Sequence, residues 1–102
     1  MKEYDKIVQA IFDAVAEINP QLPEEQRLAP STDTVLFGES GKLDSLGLVN
    51  LIVATEQRLE ELFGVTLILA DERALSQKRS PFRTIGALAQ YASQLLQERE
   101  NA

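Results

Sequence analysis

The chain has 102 residues, 44% of them apolar and 25% charged, which is typical of one globular domain. It contains neither cysteine nor histidine, which excludes disulfides and thiolate metal sites and removes the usual general base. The net charge of −6 disfavours nucleic-acid binding. No apolar run approaches the roughly 20 residues that cross a bilayer. The charged start does not resemble a signal peptide, so we expect a cytoplasmic monomer with no membrane insertion.

The charge is unevenly distributed along the chain. Residues 1–72 carry a net charge of −9, whereas residues 73–97 carry +4 from Arg73, Lys78, Arg79 and Arg83. This asymmetry predicts that the acidic part attracts basic partners. Solubility alone is the simpler reason for negative charge.

The first predicted element is an amphipathic helix over residues 2–19. Its apolar residues recur at three- and four-residue steps, which is the period of a helix with one buried face. Pro20 ends it, because the residue before a proline is pushed away from helical angles.

A long connection is predicted over residues 20–44, where prolines, glycines and turn-forming residues are frequent. A short helical turn is expected over residues 24–28. Val35, Leu36 and Phe37 are expected to attach this loop to the core. A connection of this length in a small domain usually has a function or structure of its own.

Three further helices are predicted, over residues 45–63, 71–77 and 84–98. Gly64 ends the first of them, and Thr84 caps the last. The helix over residues 45–63 is expected to bury an apolar face that consists of Leu46, Val49, Ile52, Val53, Leu59 and Leu62. It is expected to expose a polar, mainly acidic face that consists of Glu56, Gln57, Glu60 and Glu61. The sequence therefore predicts an all-α single domain over residues 1–102, with an ordered core over about residues 2–98.

The most informative residues for function are Asp44, Ser45 and Leu46, which open the second predicted helix after a glycine-containing loop. Asp and Ser are preferred helix caps, so the pair by itself indicates capping only. The run Asp44-Ser45-Leu46, however, resembles the signature of acyl and peptidyl carrier proteins. The long first loop, the Phe63-Gly64-Val65 ending and the final helix from Thr84 extend the resemblance over about residues 2–96.

The resemblance implies a four-helix carrier bundle with three main helices and one short one. It implies that Ser45 bears a covalent 4'-phosphopantetheine, flanked by Asp44 and Leu46. Such an arm carries acyl groups as thioesters, for fatty acid biosynthesis or for a specialised lipid, polyketide or saccharide pathway. The implied partners are a phosphopantetheinyl transferase, an acyl-activating or loading enzyme, and an acyltransferase or synthase acceptor. The protein itself would not be an enzyme and would hold no metal.

The chain departs from the family pattern in three places, the first of which concerns partner recognition. Gly47, Leu48 and Asn50 stand where such carriers usually have acids, residues 55–63 are longer by about one turn, and residues 76–83 are basic. We therefore expect partners to contact an exposed Leu48, with weaker steering by the acids Glu56, Glu60 and Glu61. Ile52, Val53, Leu67, Ile68 and Ile85 are expected to line an internal cleft for cargo, or simply to form the core.

Three alternatives remain open on the sequence. The first is a peptidyl or aminoacyl carrier, which has the same arm. The second is an interaction module with this fold that is never modified at Ser45. The third is an enzyme with a carboxylate pair, either Glu56 with Glu60 or Glu60 with Glu61, although no third group accompanies either pair.

Overall fold

The computed structural model describes residues 2–37, 41–69 and 82–100. The fold is all-α. In the described ranges three helices occur: α1 (Glu3–Ile18), α2 (Ser45–Phe63) and α3 (Ile85–Glu100). Two 3₁₀ turns follow α1, at Asn19–Gln21 and Glu24–Gln26. The three main helices thus begin and end within two residues of the predicted positions. The helix predicted over residues 71–77 lies outside the described residues, as do the basic residues Arg73, Lys78 and Arg79.

Helix α1 is the central helix, because it packs against both α2 and α3. Its buried face follows the predicted period and consists of Ile7, Ala10, Ile11, Ala14, Val15 and Ile18. Tyr4, Val8 and Phe12 lie at the margins of this face and are only partly covered. On the surface, the Arg58 guanidinium of α2 forms an ion pair with Glu17 of α1 at 3.3 Å, and such exposed pairs contribute ~1 kcal/mol at most.

The first part of the long loop is attached to the end of α1 by Asn19. The side-chain amide of Asn19 donates to the carbonyl of Leu28 at 3.0 Å, and its side-chain oxygen accepts from the Leu28 N–H at 2.9 Å. The Leu28 side chain is buried beneath this pair of bonds. The first part of the loop is therefore bonded back to the end of α1.

The second part of the loop is attached to the start of α3. Leu36 is fully buried, and its N–H donates to the Arg83 carbonyl at 2.7 Å. Val35 forms an isolated bridge with Thr84. The expectation that this apolar trio pins the loop to the core is confirmed for Leu36, and Phe37 packs against the core more loosely.

The loop also supplies hydrogen-bond acceptors for the first amides of α3, which have no acceptor within the helix. Ile85 N–H donates to the Thr34 carbonyl at 3.1 Å, and Gly86 N–H donates to the Thr32 carbonyl at 2.9 Å. The Thr84 hydroxyl accepts from Ala87 N–H at 3.0 Å, which confirms the predicted cap. The loop and the start of α3 therefore stabilise each other.

Helix α2 ends at Gly64, as predicted. Gly64 adopts the left-handed conformation with φ of 70°, which favours glycine, and its N–H donates to the Glu60 carbonyl at 2.8 Å. The chain then turns back so that Leu67 and Leu69 enter the core.

The predicted buried face of α2 is confirmed for Ile52 and Leu59 and was wrong for Leu46, Val49, Val53 and Leu62. The helix buries Leu48, Leu51, Ile52, Ala54, Thr55 and Leu59 and exposes Leu46, Val49, Val53 and Leu62. Leu48, which we expected at the surface beside Ser45, is only 8% exposed. The reason is that the first turns of α2 are apolar on two sides, and the side that continues to Leu59 is the one that packs in the core.

Thr55 is a polar residue in this buried face. Its side chain is fully buried, and its hydroxyl forms no hydrogen bond with the described part of the chain. A buried donor that is left unpaired costs free energy, whereas an apolar group of the same shape does not.

We expect Thr55→Val to raise the free energy of unfolding by ~1 kcal/mol, because it keeps the shape and removes the unpaired hydroxyl. Urea unfolding should show a higher midpoint with an unchanged slope. Thr55→Ser is the matched control: it keeps the hydroxyl, removes a methyl group and should lower the midpoint. A lower midpoint for Thr55→Val would mean that the hydroxyl has a partner in solution.

Candidate functional site

The candidate site is the start of α2, where Asp44 caps the helix. Asp44 has an extended backbone, and its carboxylate accepts from the Gly47 N–H at 2.8 Å. The Asp44 carbonyl accepts from the Leu48 N–H at 2.9 Å. Ser45 is therefore the first residue of the helix, as the sequence predicts. Neither of these bonds uses the N–H of Leu46, the residue that follows.

The residues that directly precede this helix make close contacts with residues 36 and 37. Leu43 is buried, and its N–H donates to the Leu36 carbonyl at 3.0 Å. A Cβ on residue 41 would lie 2.5 Å from the Cα of Phe37, so only glycine fits at position 41. The position of Asp44 and Ser45 thus depends on Leu36, which is itself bonded to the start of α3.

Gly47 stands at a buried position of the first turn of α2. A Cβ there would lie 3.2 Å from the Leu43 side chain and 3.3 Å from the Asp44 carboxylate. Burial therefore gives a structural reason for the uncharged Gly47 and Leu48, but not for Asn50, which is exposed. An acid at position 47 or 48 would have to be buried, which is unfavourable without a partner.

The predicted partner-binding residues differ in how far they are exposed. Leu48 is part of the core, so a substitution there would perturb folding rather than docking. Leu46, in contrast, is 69% exposed next to Ser45. Glu60 and Glu61 are exposed, as expected.

Glu56 differs from the other acids of α2. Its side chain is half-buried, and its carboxylate accepts from the Leu69 N–H at 2.7 Å. Glu56 thereby attaches the segment that follows α2 to the helix. Glu56 is therefore less exposed than the sequence predicts, whereas its role in steering partners stays a prediction.

Comparison of the chain with protein-family models, with curated proteins and with solved structures found no match. Within the described ranges, no cluster of three or more carboxylates has the arrangement of a metal site. None of the helices in those ranges combines the length and the apolar character needed to span a membrane.

The residues expected to line a cargo cleft divide into two groups. Ile52, Leu67 and Ile85 are buried in the core, whereas Val53 and Ile68 are exposed. Two grooves are found on the described surface, and Leu67 and Ile68 contribute to the second of them. One of about 410 Å³ lies between α1 and the C-terminal part of α2, and one of about 280 Å³ lies between residues 66–68 and the end of α3. No residue between 41 and 57 lines either groove.

The cap at Asp44 is testable through stability. Asp44→Ala removes the acceptor for Gly47 N–H and should lower the free energy of unfolding by ~1 kcal/mol. For a domain of this size the melting temperature should fall by roughly 4–8 °C. Asp44→Asn retains a side-chain oxygen and should lose much less. Equal losses in the two variants would show that the carboxylate acts through its charge and not as a cap.

The contact between Glu56 and Leu69 is testable by amide hydrogen exchange. Glu56→Ala removes a hydrogen bond to a charged acceptor, which contributes about 1.5–3 kcal/mol, so exchange at Leu69 should accelerate by about tenfold or more. Glu56→Gln keeps an oxygen acceptor and should accelerate exchange less. Unchanged protection of Leu69 in Glu56→Ala would contradict the contact.

Proposed function

We propose that the protein is an acyl carrier whose Ser45 bears a phosphopantetheine arm. The observation that carries the proposal is the place of Ser45 at the Asp44-capped start of α2, directly after Leu43 and its bond to Leu36. A transferase must reach the serine hydroxyl, and a serine at the start of a helix is easier to reach than one in the middle of it. The resemblance of Asp44-Ser45-Leu46 to the carrier signature supplies the identity of the modification.

The local electrostatics of α2 favour the product of this modification. The attached phosphodiester is an anion, and the N-terminus of a helix attracts anions through its amides and its dipole. The Leu46 N–H is an amide of this turn that the Asp44 cap does not use. The residues at the start of α2 therefore fit a phosphate on Ser45.

The composition of the chain also fits a carrier. When bound, the arm supplies a terminal thiol that holds the acyl group. The chain has no cysteine that would compete for that group. The partner enzymes would supply the acid–base chemistry.

The proposal is tested by modification in vitro. With coenzyme A, magnesium and a broad-range phosphopantetheinyl transferase, we expect the wild type to gain the mass of one phosphopantetheine. Ser45→Ala should gain none. Since Asp44 and not Ser45 provides the cap bond to Gly47, this variant should fold like the wild type.

An unmodified wild type with several transferases would favour an interaction module with this fold. A modified Ser45→Ala would place the arm elsewhere. Intact mass of protein purified from its native host would distinguish acyl cargo from aminoacyl cargo.

Charge steering by the partner enzymes is expected to depend on Glu60 and Glu61. Both are exposed, so replacing them with Gln should leave stability unchanged. Association with the loading enzyme should become slower and less dependent on salt, because electrostatic complementarity acts mainly on the association rate. Glu24→Gln with Glu25→Gln makes the same charge change on the loop and serves as the control. Equal effects of both pairs would indicate net charge and not a defined docking site.

A further inference from the structure

Three exposed apolar side chains form a line along α2, beginning next to Ser45. Leu46 is 69% exposed, Val49 52% and Val53 45%. Their spacing of three and four residues places them on one face of the helix. We call these three residues the outer strip. Single exposed apolar residues are common, but contiguous ones indicate a binding surface.

The outer strip lies in a part of the helix without charge. Residues 45–55 contain no charged side chain, although a quarter of the whole chain is charged. The next residue, Glu56, has its carboxylate bonded to the Leu69 N–H. The occupant that suits such a surface is uncharged and apolar.

In the described residues, the opposite side of the N-terminal half of α2 is closely packed, and no residue between 41 and 57 lines either of the two grooves. Leu51 and Ile85 are fully buried, and Leu67 and Ile52 are 3% and 5% exposed. Inserting extra methylene groups among well-packed side chains forces them out of their preferred rotamers and is destabilising. The outer strip needs no such displacement.

We propose that the phosphopantetheine arm and the acyl group at its end lie along the outer strip, on the outside of α2 and not between the helices. This inference rests on the proposed function of Ser45. It makes Leu46, Val49 and Val53 the residues that shield the cargo from water.

The position of the strip favours the tethered cargo over a separate protein. A stable protein interface uses about 20–30 residues on each side, far more than these three. An arm attached at Ser45 begins beside Leu46 and is held at a high effective concentration, so a weak apolar contact is enough to populate the bound position.

The test uses the protein loaded with an octanoyl group on the arm. Intact mass first establishes that Ser45 carries the arm. Nuclear Overhauser effects should then connect the octanoyl chain to the methyl groups of the outer strip. Val49→Thr with Val53→Thr keeps the shape of both side chains and makes them polar, and we expect these effects to fall by at least half.

Leu62→Gln is the matched control, since Leu62 is 48% exposed on the same helix but far from Ser45. It should leave the octanoyl contacts unchanged. Urea unfolding of each variant would establish that the native fold is retained.

Three results would overturn the inference. Contacts of the octanoyl chain with Ile52, Leu67 and Ile85 would place it in the core. Contacts with neither set would place it in solvent. Unchanged contacts in the Val49→Thr and Val53→Thr variant, with slower loading by the loading enzyme, would make the strip a protein interface. Failure of Ser45 to take the arm would instead refute the proposed function, and the inference with it.

Discussion

The backbone of Leu36 joins the parts of the molecule on which the candidate site depends. Its N–H donates to the Arg83 carbonyl at the start of α3, and its carbonyl accepts from the Leu43 N–H just before α2. Its side chain is fully buried, so neither bond is exposed to competition from water at that residue. A single residue of the loop thus sets where α2 begins relative to α3.

This arrangement explains why a long loop can hold a site in place. Loops usually lie on the surface and move more than the elements they connect. Here the loop is bonded at Leu28 to the end of α1, and at Thr32, Thr34 and Leu36 to the start of α3. Asp44 and Ser45 come at its far end, directly after a buried leucine. The order of the start of α2 therefore results from bonds made by residues distant from it in the sequence.

The two sides of α2 have separate tasks. The inner side, which includes Leu48, Leu51 and Leu59, supplies packing. The outer side presents apolar residues near Ser45 and acids further along. Glu56 lies between the two, because its carboxylate attaches the segment that contains Leu67 and Leu69.

The sequence by itself determined the all-α class, the ends of the main helices and the place of Ser45 at a capped helix start. These features depend on local chemistry: prolines and Gly64 end helices, and Asp44 and Thr84 cap them. Only the tertiary structure decided which side of α2 is buried. Its first turns are apolar on both sides, so apolar character alone does not show whether Leu48 or Val49 faces the core. A signal was present, because the row from Leu48 through Leu51 and Thr55 continues to Leu59, whereas the row from Leu46 stops at Val53 before Glu56. Helix α2 packs against α1, and the longer row is the one that is buried in the core.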